Sequence, residues 1–118
     1  MSRLSELEEA VGKWHRETYG DMTPKLRTAM DRKWDEEQDE LRDAGPCELP
    51  QEAADCLIVL LTFTSRFGWT VQKADALAYL TRLANHEGFD LLAEAERKLE
   101  KVKGRDQLQR DRERGLRV

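Results

Sequence analysis

Two cysteines in 118 residues, Cys47 and Cys56, are too few and too irregularly placed to make a disulfide framework or a thiolate metal site. They are read as reduced thiols. Long apolar runs are missing as well. The longest, residues 56–61, falls far short of a bilayer's thickness, so no membrane protein is expected. The opening residues 1–6 carry neither the basic nor the apolar region of a signal peptide, and a cytoplasmic protein is expected. Only three prolines interrupt the chain, and β-branched alternation is scarce, which leaves little support for strands. A large basic excess is also absent. Twenty Lys and Arg stand against 24 Asp and Glu, a formal net charge of −4, so nucleic-acid binding is not expected of the whole domain.

What is present is helical punctuation. Apolar residues recur every three or four positions at Leu4, Leu7, Val11 and Trp14, and the pattern breaks at Tyr19-Gly20-Asp21. Thr23-Pro24 offers a capping hydroxyl followed by proline at a first helical position, and Leu26, Met30, Trp34 and Leu41 continue from it. Pro50 restarts a helix to about Phe67 whose middle, residues 56–61, is apolar on every side. Such a helix must be enclosed by other helices or by a second subunit. Gly68 predicts a left-handed stop, Thr70 the cap of a fourth helix, and residues 89–103 a fifth. The expectation is an all-α, four- to five-helix antiparallel bundle over residues 1–104, completed by homodimerisation. Residues 105–118 are expected to form a frayed polar tail. From Lys103 onward, six basic residues meet three acidic ones. Without interleaved aromatics, this cluster reads as solvated rather than as a nucleic-acid contact.

The chemistry sits in the carboxylates. Glu37 and Glu40 share one face of the second helix, and Glu36 lies one turn before Glu40; Glu52 and Asp55 share a face at the start of the third. Ala53 and Ala54 between them are small enough to admit a neighbouring helix. Folded as a hairpin across Gly45-Pro46, the two pairs can meet. Four carboxylates around one space repel unless a hard cation joins them, and an Asp/Glu set without His or Cys suits Mg²⁺, with Mn²⁺ as a substitute, rather than zinc. Glu36 is then a spare ligand or a base for an attacking water. The competing reading is a solvated acidic face on a non-catalytic interaction module. Glu-x-x-Asp by itself carries no information, since Glu87 and Asp90 repeat it across Gly88, and acidic residues favour helix N-termini in any case.

Glu36-Glu37-x-x-Glu40, then Glu52-x-x-Asp55 and an apolar helix, resembles the MazG-like all-α nucleoside triphosphate pyrophosphohydrolases. The approach through Trp14-His15, Tyr19-Gly20 and Thr23-Pro24 is similar, as is Lys98-Leu99-Glu100-Lys101, and the resemblance covers residues 7–105. It implies Mg²⁺-dependent cleavage of a (deoxy)nucleoside triphosphate between the α- and β-phosphates, with Glu37, Glu40, Glu52 and Asp55 as metal ligands. It also implies a dimer, or a dimer of dimers. Two departures stand out. Val102 occupies a position where relatives often have Asn, and residues 68–98 form a longer segment than in compact relatives. Lys98, Lys101 and Arg105 are expected near the departing phosphates. Trp14 is either a base-stacking residue or core, Trp34 is packing, and His15 and His86 are assigned to the surface or to caps.

Overall fold

The computed structural model describes the backbone of residues 2–113 and the side chains of residues 2–105. Five helices follow one another: α1 (Arg3–Tyr19), α2 (Pro24–Asp43), α3 (Leu49–Phe67), α4 (Val71–Glu87) and α5 (Leu91–Glu113). No strand occurs among the described residues. The boundaries have local causes. Thr23 Oγ1 accepts from the Leu26 amide at 3.1 Å, and Thr70 Oγ1 accepts from the Lys73 amide at 3.2 Å, each satisfying an amide that the first helical turn leaves unpaired. Asp90 Oδ1 does the same for Ala93 at 3.0 Å, opening α5. Gly20, at φ 75°, reverses the chain after α1, a conformation that side chains with a Cβ rarely adopt.

The apolar α3 is the axis of the molecule. It packs against each of the other four helices, and Ala53, Leu57, Leu60 and Leu61 are all buried there with Val11 of α1 and Leu99 of α5. Its apolar middle is buried within one chain except at Val59, which is half-buried. α1 approaches α3 closely at Gly12, where a Cβ would stand 2.8 Å from Ser65 Cβ. Beside them, Thr64 Oγ1 donates to Glu8 Oε2. α2 is held chiefly by α3. The Arg27 guanidinium near its start lies 4.3 Å from the centre of the Phe67 ring at the end of α3. Glu37, further along α2, faces Cys56, earlier on α3, whose Sγ donates to the Glu37 carbonyl at 3.3 Å; the two contacts together make the helices antiparallel.

One boundary differs from expectation. α5 does not stop near Lys103 but continues through Gly104 to Glu113. The Arg, Gln, Leu and Glu residues beyond are good helix formers, and one interior glycine costs only about 1 kcal/mol. The side chains of Arg110, Arg112, Arg114 and Arg117 lie outside the described residues. Cys47 and Cys56 are both free thiols, exposed and buried respectively. Burial, reinforced by the neighbouring carboxylates, pushes the Cys56 thiol up to about 12, which makes it an inert core residue.

Candidate metal centre and cleft

The turn of helix between Glu37 and Glu40 and that between Glu52 and Asp55 face each other across the α2–α3 hairpin. One carboxylate oxygen from each of the four residues lies within 4.8 Å of the others. Glu37 is the innermost, 3% exposed, and Glu40 is the most open. Burial pushes the Glu37 carboxyl above its ordinary range, against the pull of Lys33 and with help from Asp55 and Glu40. Burial also raises Glu52, as do the charges of Asp55 and Glu40.

Two lysines answer this charge. Lys33 Nζ lies 2.9 Å from Glu37 Oε1, one turn away on the same helix, and Lys98 Nζ lies 3.0 Å from Asp55 Oδ1, reaching in from α5. They offset half of the carboxylate charge. Glu37 Oε2 and Glu52 Oε2 are buried and accept no hydrogen bond from protein. Orphaned anionic oxygens are costly, and a hard divalent cation that takes oxygen ligands would satisfy both oxygens and the remaining charge. The donor set therefore fits Mg²⁺ or Mn²⁺.

The cluster opens into a cleft of about 630 Å³, within the range of small-molecule sites. Glu37, Glu40 and Asp55 form part of its wall, together with Lys33, Lys98, Val102 and Arg105. Leu26, Ala29, Met30, Ile58 and Val59 give it an apolar lining, and Trp14, His15 and Tyr19 add an aromatic group from the end of α1. A second cleft of about 610 Å³, between α2, α3 and α4, is lined largely by apolar residues such as Trp34, Leu41 and Leu80.

Most of the residues singled out from the sequence meet here. Trp14 packs against the core, as one of its readings had it, and also lines the cleft. Glu36 and Lys101 are exposed and line neither cleft. The assignment of His15 to the surface or a cap is overturned: it is buried, and its Nδ1 accepts from Arg66 Nε at 3.0 Å. The sequence reading gave no site role to Lys33, Tyr19 or Arg66. Only Lys33 had a local signal, its spacing of four from Glu37.

Burial, with the charges of Arg66 and Arg16, lowers His15 from 6.5 to about 4. The folded protein therefore keeps the ring neutral where the unfolded chain protonates it. This contribution to stability is complete above pH 6.5 and is lost as the pH falls from 6.5 to about 4. Its ceiling is about 3 kcal/mol. Urea unfolding at pH 7.5 and pH 4.5 should show the wild type losing more stability than His15→Gln. Equal losses would overturn the assignment.

Comparisons with protein-family models, curated proteins and solved structures returned no match.

Proposed function

We propose that the protein is a Mg²⁺-dependent nucleoside triphosphate pyrophosphohydrolase, yielding the nucleoside monophosphate and pyrophosphate. The observation that carries this reading is the convergence of Glu37, Glu40, Glu52 and Asp55, half neutralised by lysine, beside a nucleotide-sized cleft whose wall includes three of them. The α–β position of cleavage follows from the resemblance of the two acidic pairs and their flanking residues to the MazG-like enzymes.

Glu37, Glu40, Glu52 and Asp55 would hold the cation, which when bound offsets polyphosphate charge and favours attack at phosphorus. The remaining work falls to the chain. Water attacks the α-phosphorus, the bond to the β-phosphate oxygen breaks, and the water's proton passes to a carboxylate. Glu40, the most open of the four, suits that role better than Glu36, which lies outside the cleft. Lys98 and Arg105 offset the charge of the departing pyrophosphate, while exposed Lys101 acts at longer range. Trp14 supplies a face for the base. Val102 offers the nucleotide an apolar contact where an amide is expected from the resemblance.

The test is product identity. With Mg²⁺ and a panel of ordinary and modified triphosphates, phosphorus NMR should show monophosphate and pyrophosphate. Diphosphate with orthophosphate would overturn the cleavage position, and silence across the panel would favour a non-catalytic interaction module. A homodimer belongs to the same proposal, supported by the exposed Phe67, Trp69 and Val71 around the α3–α4 turn. Light scattering at micromolar concentration should give about twice 13.7 kDa, and a value near 13.7 kDa would reject it.

A further inference from the structure

His15 is 4% exposed, yet it belongs to the cleft wall, with its ring centre 5.9 Å from that of Trp14 and 4.8 Å from that of Tyr19. Its polar atoms are not equivalent. Arg66 Nε donates to Nδ1 at 3.0 Å, and a guanidinium N–H cannot accept a proton back, so Nδ1 must present its lone pair. The ring's single proton is therefore on Nε2. Arg66 is itself anchored, because its Nη2 donates to the Gly20 carbonyl at 2.6 Å, across the reversal that ends α1. Burial keeps the ring neutral at physiological pH. No described residue accepts from Nε2–H, and Nε2 is not one of the buried atoms left without a partner, so it is open to the cleft.

We propose that His15 is a specificity-determining residue whose Nε2–H, set by Arg66, selects a nucleobase presenting an exocyclic carbonyl rather than an amino group. The proposal rests on the nucleotide reading above and adds the class of base. A neutral donor flanked by aromatic rings suits a flat, uncharged heterocycle, whereas the polyphosphate calls for the cations Lys33, Lys98 and Arg105. A carbonyl oxygen completes the hydrogen bond that His15 lacks. An amino group at the same place sets donor against donor and leaves both unpaired, which costs a buried site about 10- to 100-fold in discrimination. Arg66 touches no substrate in this scheme; it is a positioning residue that decides which imidazole nitrogen carries the proton.

Inosine and adenosine triphosphates differ mainly in carbonyl against amino at one ring position, and uridine and cytidine triphosphates form the corresponding pyrimidine pair. With Mg²⁺, the wild type should favour the carbonyl member by about 10- to 100-fold in kcat/KM. His15→Leu should bring the ratio towards one, and His15→Gln, whose amide can still donate, should retain part of it. Nitrogen-15 NMR of the nucleotide-free wild type should show the Nε2–H tautomer. Arg66→Lys, keeping the charge but losing the fixed fork, should show mixed tautomers and a reduced ratio. If no triphosphate is bound or hydrolysed, the nucleotide reading itself falls. If hydrolysis proceeds but the wild type prefers amino bases, or His15→Leu leaves the ratio unchanged, or the wild-type proton sits on Nδ1, the specificity role is overturned while that reading stands.

Discussion

Asp55→Asn and Glu40→Gln should each reduce Mg²⁺-dependent pyrophosphate release at least about a hundredfold, the scale of losing one group that stabilises transition-state charge. Without metal, the same variants should melt at or slightly above the wild-type temperature. Both remove a negative charge from a crowd in which Glu37 and Glu52 are already raised above the ordinary carboxylate range. Asp55→Asn releases Lys98 from its ion pair, but that side chain is 34% exposed and can turn to water. Wild type at a hundred times the metal dissociation constant should gain about 2.7 kcal/mol, and the variants should gain less.

The pH dependence carries a sign that separates the two states. For carboxyls raised in the folded state, the contribution to stability is present below their ordinary value and lost as the pH rises through the raised one. EDTA-treated protein should thus pay a growing repulsion over that interval. Stabilisation by Mg²⁺ should grow over the same interval, because ligand carboxyls must be ionised to bind. Calorimetric melts of wild type and both variants, with EDTA and with Mg²⁺, measure all of this. Equal Mg²⁺-dependent shifts in the three proteins would defeat a shared site, whatever the activity.

The second large effect is on folding. Leu57, 0% exposed on the central helix, belongs to the core in which α3 packs against all four other helices. Truncation to alanine removes buried methyl groups and leaves a cavity that surrounding helices cannot easily fill, at a cost of about 3–5 kcal/mol. A domain of this size has roughly 6–15 kcal/mol in total, so Leu57→Ala should lower Tm by about 10–20 °C. Arg82→Ala, at an exposed position of α4, should change stability by less than about 0.5 kcal/mol. Denaturant titration of both variants checks the contrast. A loss below 1 kcal/mol for Leu57→Ala would contradict α3 as the packing axis.

The helices were legible because their determinants are local. Leu7 and Val11, or Glu37 and Glu40, share a face by the helix repeat alone, and Thr23-Pro24, Thr70 and Gly88 act within a few residues of the ends they mark. The same locality made each carboxylate pair readable, though not their convergence. That depends on α2 folding back along α3, which brings residues twelve or more positions apart within 4.8 Å. Enclosure of the apolar α3 could be foreseen as a need, but only packing showed that α1, α2, α4 and α5 all lie against it. Lone histidines carry little sequence signal, so His15 was misassigned. Its environment comes from Arg66, 51 residues away on α3, which packs against α1. Likewise, Gly104 resembles a stop until its context of helix-forming residues is weighed. Periodicity and capping are enforced within one turn of chain, whereas burial, ion pairing and tautomer are set by whichever distant side chains the packing brings into contact.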